Sequence, residues 1–214
     1  HGQKTHYGVA LLSRAEPEEV LKGYPSDGED SQRRLITGHF TVNGEPLTVL
    51  NGYFPQGESR DHPVKFPAKE KFYADLMAYL DELAKKPGHI MVMGDMNISP
   101  TDRDIGIGAD NAKRWLRSGK CSFLPEEREW LGQVEQRGFT DVFRHLHPDE
   151  ANTFSWFDYR SKGFERDPRR GLRIDLIMAS DSLLPKAKAA GVSYDIRAME
   201  RPSDHCPVWA SFDL

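Results

Sequence analysis

His89-Ile-Met-Val-Met-Gly-Asp-Met-Asn97 runs from His89 to Met93 without polar alternation and then turns abruptly polar. A short apolar run of this kind marks a strand covered on both faces. The polar residues after it sit at a strand end, where a rigid scaffold holds side chains most accurately. Upstream, Phe72, Leu76, Leu80 and Leu83 recur at helical spacing, and Pro87-Gly88 closes that helix before the strand begins. Leu35–Val42 and Leu47–Tyr53 are rich in β-branched and aromatic residues. Asn43-Gly44 between them is a hairpin turn, because both residues tolerate positive φ. A turn-rich loop follows from Pro55 to Pro67.

Downstream, a polar loop carries Asp95 to Gly108. Asn111–Arg117 and Glu126–Arg137 read as short helices, the second opened by Pro125 and stopped by Gly138. Tyr7–Leu12, Thr153–Arg160, Leu172–Ala179, Val192–Ile196 and Val208–Phe212 read as extended. Hairpin-linked and helix-linked strands together predict an α/β (α+β) domain of mixed sheets with helices packed outside. With 214 residues, one domain over 1–214 is expected.

The hydrophobic share is 38%, the charged share 29% and the formal net charge −4, which fits a globular protein. It does not fit one that coats nucleic acid by bulk charge, so any DNA contact must be local. No apolar run has the length of a transmembrane helix. Two distant cysteines, Cys121 and Cys206, make no C-x-x-C pair, and the histidines lack zinc-ligand spacing. A reducing cytoplasm is the expected compartment.

Four polar clusters lie at strand ends or starts: Asn51-Gly-Tyr-Phe-Pro-Gln56, Gly94-Asp-Met-Asn97, Arg173-Ile-Asp-Leu176 and Ser203-Asp-His205. Their carboxylates, histidine, asparagine and tyrosine form the inventory for hydrolysing a phosphodiester with a hard cation. Mg2+, with Mn2+ as a substitute, takes carboxylate oxygens and neutralises phosphoryl charge. Asp204 and His205 are neighbours entering a strand, so their side chains should diverge. Asp175, from another strand, is therefore the choice to orient His205, which leaves Asp204 to face the metal. Such pairing raises the histidine pKa and favours an imidazolium that grips phosphate. Asp95 and Asn97, two apart in an extended segment, should face one way and hold the water together.

Asn51-Gly-Tyr-Phe-Pro-Gln-Gly57, Gly94-Asp-Met-Asn97, Ser155-Trp-Phe-Asp-Tyr-Arg160, Arg173-Ile-Asp-Leu176 and Ser203-Asp-His205 occur in the order found in the bacterial exonuclease III family. That family of class II AP endonucleases lies within the DNase-like endonuclease/exonuclease/phosphatase superfamily. The resemblance spans nearly the whole chain, including Trp115-Leu-Arg-Ser-Gly-Lys-Cys-Ser-Phe-Leu-Pro-Glu-Glu-Arg-Glu-Trp130, which has no catalytic role. Any one motif is weak, but the ordered set is specific.

The resemblance implies a four-layered sandwich, two mixed β-sheets face to face with helices outside. It implies 3′→5′ exonuclease action on duplex DNA, incision 5′ to abasic sites and cleaning of blocked 3′ ends, by a monomeric bacterial enzyme with no membrane partner. By matching motifs, Asp95 would activate or orient water with Asn97 beside it. Tyr53 would donate to the phosphate, Asp175 would orient His205, and Asp204 would lie near the metal. Trp156, Leu172 and Ile174 would line a slot that admits a base-free sugar. In a regular strand, however, Leu172 and Ile174 face away from Asp175, so that segment should be irregular at its start. Gln56, Arg160 and Lys162 are candidate DNA contacts. Family members also begin with an asparagine-bearing strand and one ending in a metal-binding glutamate. Neither precedes His1, so the chain is expected to be the family minus its front.

Taken singly, Asp95 is a turn former, His205 a structural histidine, and Tyr53 and Trp156 core aromatics. Arg169, Arg170 and Arg173 form a solvated charge run on that view, as do Lys113, Arg114, Arg117 and Lys120. The joint order of the motifs outweighs these readings for the catalytic set. The competing functions are a superfamily phosphatase with a non-DNA substrate and an inert DNA-binding fragment lacking the front ligand.

Overall fold

A computed structural model describes all residues 1–214. Eight strands and five helices follow in the order β1 (Glu19–Lys22), β2 (Leu35–Val42), β3 (Glu45–Tyr53), α1 (Lys65–Leu83), β4 (His89–Asp95), α2 (Ala109–Arg117), α3 (Pro125–Glu135), β5 (Phe139–Asp141), α4 (Val142–Leu146), β6 (Asp175–Ser180), β7 (Ala187–Val192), α5 (Tyr194–Arg197) and β8 (Val208–Phe212). Six strands form one mixed sheet in the order β1-β2-β3-β4-β6-β5, parallel only between β3 and β4. The second sheet is β7 and β8 alone, so it is antiparallel and not mixed as expected.

The run from His89 became β4 at the centre of the large sheet, between β3 and β6. Alternation sorts its side chains. Ile90 and Val92 join Leu50, Leu176 and Met178 in the core beneath α1 and α3. Met91 faces the other way, with Leu47 and Ile177, against Ala190 of β7 and Ala210 and Phe212 of β8. The sheets therefore pack face to face, with α1 and α3 outside the larger one. Asn43 and Gly44, at φ 51° and 85°, close the β2–β3 hairpin as their residue types require.

Two glycines govern the end of β4. Gly94 stands opposite Gly52 of β3 with φ +134°, and a Cβ there would meet the Gly52 carbonyl oxygen at 1.9 Å. Only glycine fits this approach.

Several expected strands are absent. Tyr7–Leu12 is not a strand: Tyr7 has φ 68°, and the first residues close into a loop held by Val9 N donating to His1 O at 2.9 Å. Tyr7 packs beside Arg34 and Tyr53, and Leu12 at the far end is exposed. Thr153–Arg160 is a loop with isolated bridges at Trp156, and Val192–Ile196 splits between the end of β7 and α5. Conversely, β1, β5, α4 and most of β7 carried no readable pattern, being short, exposed or alanine-rich.

The charge run around Arg173 also reads differently in space. Arg173 is 1% exposed and bridges two buried carboxylates, its Nε to Asp104 Oδ1 at 2.7 Å and Nη2 to Asp141 Oδ2 at 2.6 Å. Arg144 adds a third contact to Asp104 at 2.6 Å. Arg169 lies over the Phe164 and Tyr194 rings, and Arg170 donates to the Ile107 carbonyl at 2.6 Å.

Candidate active site

The ends of three adjacent strands bring the first groups together. In the register of the large sheet, Asp95 of β4 pairs with Tyr53 of β3 on one side and Asp175 of β6 on the other. Strand alternation gives both carboxylates the same face. His205 comes from the loop before β8, and its Nδ1 donates to Asp175 at 2.9 Å and 3.1 Å. A carboxylate only accepts, so this bond places the proton on Nδ1.

Burial opposes charge on His205. The hydrogen bond and charge of Asp175, with the charges of Asp95 and Asp204, outweigh it and raise the imidazole to about 9. The ring is thus an imidazolium through neutral pH and loses its proton as pH rises through that value. Asp95 is pushed up to about 7, first by burial and then by the charge of Asp175. It accepts from Asn97 twice, from the backbone N at 3.0 Å and from Nδ2 at 2.8 Å. The pair does not meet by extension along a strand. The chain turns after Asp95, Asn97 takes φ 54°, and its side chain folds back to reach both Asp95 and the Phe54 carbonyl.

Asp204 and His205 do diverge in their contacts. Asp204 Oδ2 accepts from Trp156 Nε1 at 3.0 Å. Both residues nonetheless border one open cleft of about 550 Å³ with Tyr53, Asn51, Asp95 and Asp175. Beside it lies a cavity of about 250 Å³ lined by Tyr53, Gln56, Asp95, Asn97, Trp156, Leu172, Ile174 and His205, together with Trp115, Lys120 and Ser122. Leu172 and Ile174 reach it because β6 is regular only from Asp175. Before that point the chain makes isolated bridges with Ile105 and Trp156. The cavity lies beyond the strand ends, so residues of both pleat faces line it.

Trp115 and Ser122 were not among the expected site residues, and their only signal was the long motif-like stretch from Trp115, whereas Lys120 stood in the basic run of Lys113, Arg114 and Arg117 that could meet phosphate. Arg160 borders a neighbouring cavity of about 400 Å³ with Arg114, Lys120, Arg166, Arg170 and Trp156, whereas Lys162 lines neither cavity.

The donor set suits a divalent cation. Asp95 and Asp175 offer carboxylate oxygens within 4.8 Å of one another, with His205 equally near, although as an imidazolium that ring has no lone pair to lend a metal. Two carboxylates forced together across adjacent strands, one shifted up to about 7, are the arrangement that a hard cation relieves. Asp204 stands outside that trio, on the cleft wall.

Known proteins share this arrangement of strands and loops. The sequence profile described as the endonuclease/exonuclease/phosphatase family matches residues 1–205. The chain is 58% identical over 212 residues to exodeoxyribonuclease III of Haemophilus influenzae, covering 99% of this chain and 79% of that protein. Its structure resembles a 3′-5′ exonuclease from Neisseria meningitidis with a TM-score of 0.83 and 38% identity, over 94% of this chain and 73% of that one. It also resembles an AP endonuclease from Archaeoglobus fulgidus, with a TM-score of 0.79 and 31% identity over 93% and 72% of the two chains. With nearly its whole length matched in sequence and in fold, the chain belongs to the endonuclease/exonuclease/phosphatase family, on the side of its DNA-repair nucleases.

Proposed function

We propose that this chain, as one monomeric domain over 1–214, is a divalent-metal-dependent phosphodiesterase that cuts DNA 5′ to abasic sites, shortens duplex 3′ ends and cleans blocked 3′ termini. One observation carries the reading. The cavity of about 250 Å³ joins Asp95, Asn97, Tyr53 and His205 to an apolar wall of Trp156, Leu172 and Ile174. Its polar side suits phosphodiester chemistry, and its apolar side suits a sugar that has lost its base.

In this reading Asp95 orients the attacking water and takes its proton. Asn97 holds both Asp95 oxygens in place. The His205 imidazolium, fixed by Asp175, and the Tyr53 hydroxyl hold the phosphoryl oxygens in line. The carboxylates that border the open cleft, Asp204 among them, would hold Mg2+ or Mn2+, which when bound would supply charge neutralisation at the phosphoryl oxygens and the leaving alkoxide.

The adjoining cavity supports a nucleic-acid substrate. Arg114, Lys120, Arg160, Arg166 and Arg170 line it against a single carboxylate, Asp158, and none of the five is among the chain's ion pairs, although the net charge is −4. Unpaired cations gathered in one wall of a net-acidic protein fit a phosphate backbone. Removing Arg160 and Arg166 together should lower the slope of log affinity against log salt by roughly 2, at about 0.9 per lost phosphate contact. An unchanged slope in filter binding across several salt concentrations would take both residues out of the interface. Gln56 lines the first cavity and is assigned to the substrate as well.

Trp156→Ala should reduce the preference for abasic over intact duplex about tenfold, since it removes the largest apolar wall of the slot. Equal preference in competition assays would remove Trp156 from recognition. The function as a whole is tested by following cleavage of an abasic duplex with Mg2+ and with chelator, beside phosphate release from a soluble inositol phosphate. Metal-dependent incision of the duplex alone is expected. Turnover of the inositol phosphate alone would replace the DNA reading with a phosphatase.

A further inference from the structure

The segment that follows Asp95 is gripped from below by two residues of α1 spaced one turn apart. Lys69 is fully buried, and its Nζ donates to the Asn97 carbonyl at 2.8 Å and to the Gln56 carbonyl at 3.4 Å. Tyr73, also fully buried, donates its hydroxyl to the Met96 carbonyl at 2.8 Å. The charge on Lys69 is met by Glu127 Oε1 at 2.5 Å. The second oxygen of Glu127 accepts from the backbone N of Ser122 and of Leu124, both at 2.8 Å. One buried ion pair thus ties α1, α3 and three loops together, and each of those loops sends a residue into the 250 Å³ cavity: Gln56, Asn97 and Ser122.

A fully buried ion pair is a poor way to gain stability, because desolvating both ions offsets most of their attraction. Its use is better sought in what it holds. Asn97 has φ 54° and Ser122 has φ 128°, and Gln56 precedes Gly57 at φ 86°. Backbone held in the left-handed region by residues other than glycine persists only where the surroundings fix it.

We propose that Lys69, Glu127 and Tyr73 are positioning residues that set the cavity floor, and through Asn97 set the aim of Asp95. None of them lines the cavity, so none touches substrate. The inference rests on the nuclease reading for its kinetic consequence, but not for its structural one.

The test uses the full chain in three forms: E127Q, K69M/E127Q and Y73F. Gln at 127 keeps one acceptor for Ser122 and Leu124 but turns an amide NH2 toward the Lys69 ammonium, so E127Q strands a buried charge and should lower kcat at least about threefold. K69M/E127Q also removes the donor to the Asn97 and Gln56 carbonyls. It should lower kcat on an abasic duplex at least about tenfold with KM changed by less than about threefold, the signature of lost transition-state alignment. Y73F removes one oxygen and folds on any reading; kcat should fall about threefold at constant KM. Amide hydrogen exchange should accelerate about tenfold or more at 96–98 in both K69M/E127Q and Y73F, and at 56–58 in the double variant, with the strands unchanged. If K69M/E127Q fails to fold, Y73F decides alone. Parental kcat in the folded variants, a change in KM only, or unchanged exchange at 96–98 would overturn the proposal. A parent inactive on every DNA substrate, with the expected exchange pattern in the variants, would instead overturn the nuclease reading and leave the positioning role standing.

Discussion

Asp95→Asn should lower the cleavage rate by roughly three orders of magnitude or more, because it removes the group that takes the proton from water. Binding of uncleaved duplex in chelator should stay within about threefold, since Asn keeps the shape and one of the two contacts from Asn97. The same variant has a second readout that does not depend on turnover. Asp95 is pushed up to about 7 in the folded chain by burial and by Asp175, from an ordinary value of 3.8. A carboxyl raised in this way stabilises the fold fully below its unfolded value, and that contribution is lost as pH rises through about 7. Metal-free parent protein should therefore lose stability between pH 4 and pH 8. Asn at 95 should flatten that loss, on the order of 2 kcal/mol at the alkaline end. His205, raised against its burial to about 9 in the parent, chiefly by Asp175, adds a loss at higher pH that should be smaller in the variant, which lacks the Asp95 charge. Cleavage within tenfold of the parent would end the assignment of Asp95 to water.

Arg173→Met should be the most destabilising of these substitutions, by about 3–5 kcal/mol, because it strands two carboxylates in the interior. Asp104 and Asp141 are 0% and 5% exposed and both depend on this guanidinium. The Arg144 guanidinium still reaches Asp104, whereas Asp141 keeps only the backbone N of Arg144, at 3.3 Å, and no other cation. Neutralisation of the stranded acids should follow, so the deficit should shrink in acidic buffer. Lys71→Ala is the matched control. It breaks an exposed pair with Asp75 one helical turn away and should shift the urea midpoint by no more than a few tenths of a kcal/mol equivalent. Equal midpoints for the two variants would mean that the Arg173 network contributes nothing to folding. The network also bears on the site, since Arg173 N donates to the Asp104 carbonyl and fixes the chain one residue before Ile174.

Periodicity revealed much of this molecule where one face of an element meets core and the other meets polar surroundings. The helix from Phe72 to Leu83 is of that kind, while the β2–β3 hairpin was legible from its Asn43-Gly44 turn and the strand at His89 from an apolar run covered on both faces. Elements held mainly by neighbours were invisible: β1 has three exposed residues in four, and β7 is mostly alanine and glycine. The candidate site divides in the same way. Tyr53, Asp95, Asn97, Asp175, Asp204 and His205 surround one cleft and cavity, and each lies in a short motif at a strand end or start. Lys69, Glu127 and Arg173 escaped notice because a buried ion looks, in one dimension, like any surface charge. Lys69 sits in Lys65-Phe-Pro-Ala-Lys-Glu-Lys71, which reads as solvated although its side chain is wholly enclosed.

The contact between Gly52 and Gly94 has a consequence for how this chain can vary. A methyl group at 94 wedges β3 from β4 one residue before the level where Tyr53 and Asp95 stand side by side. The gap between a hydroxyl and a carboxylate is therefore set at Gly94, by a residue that contributes no side chain at all. Divergence can redecorate the slot and its basic rim freely, while this narrow seam has to stay bare.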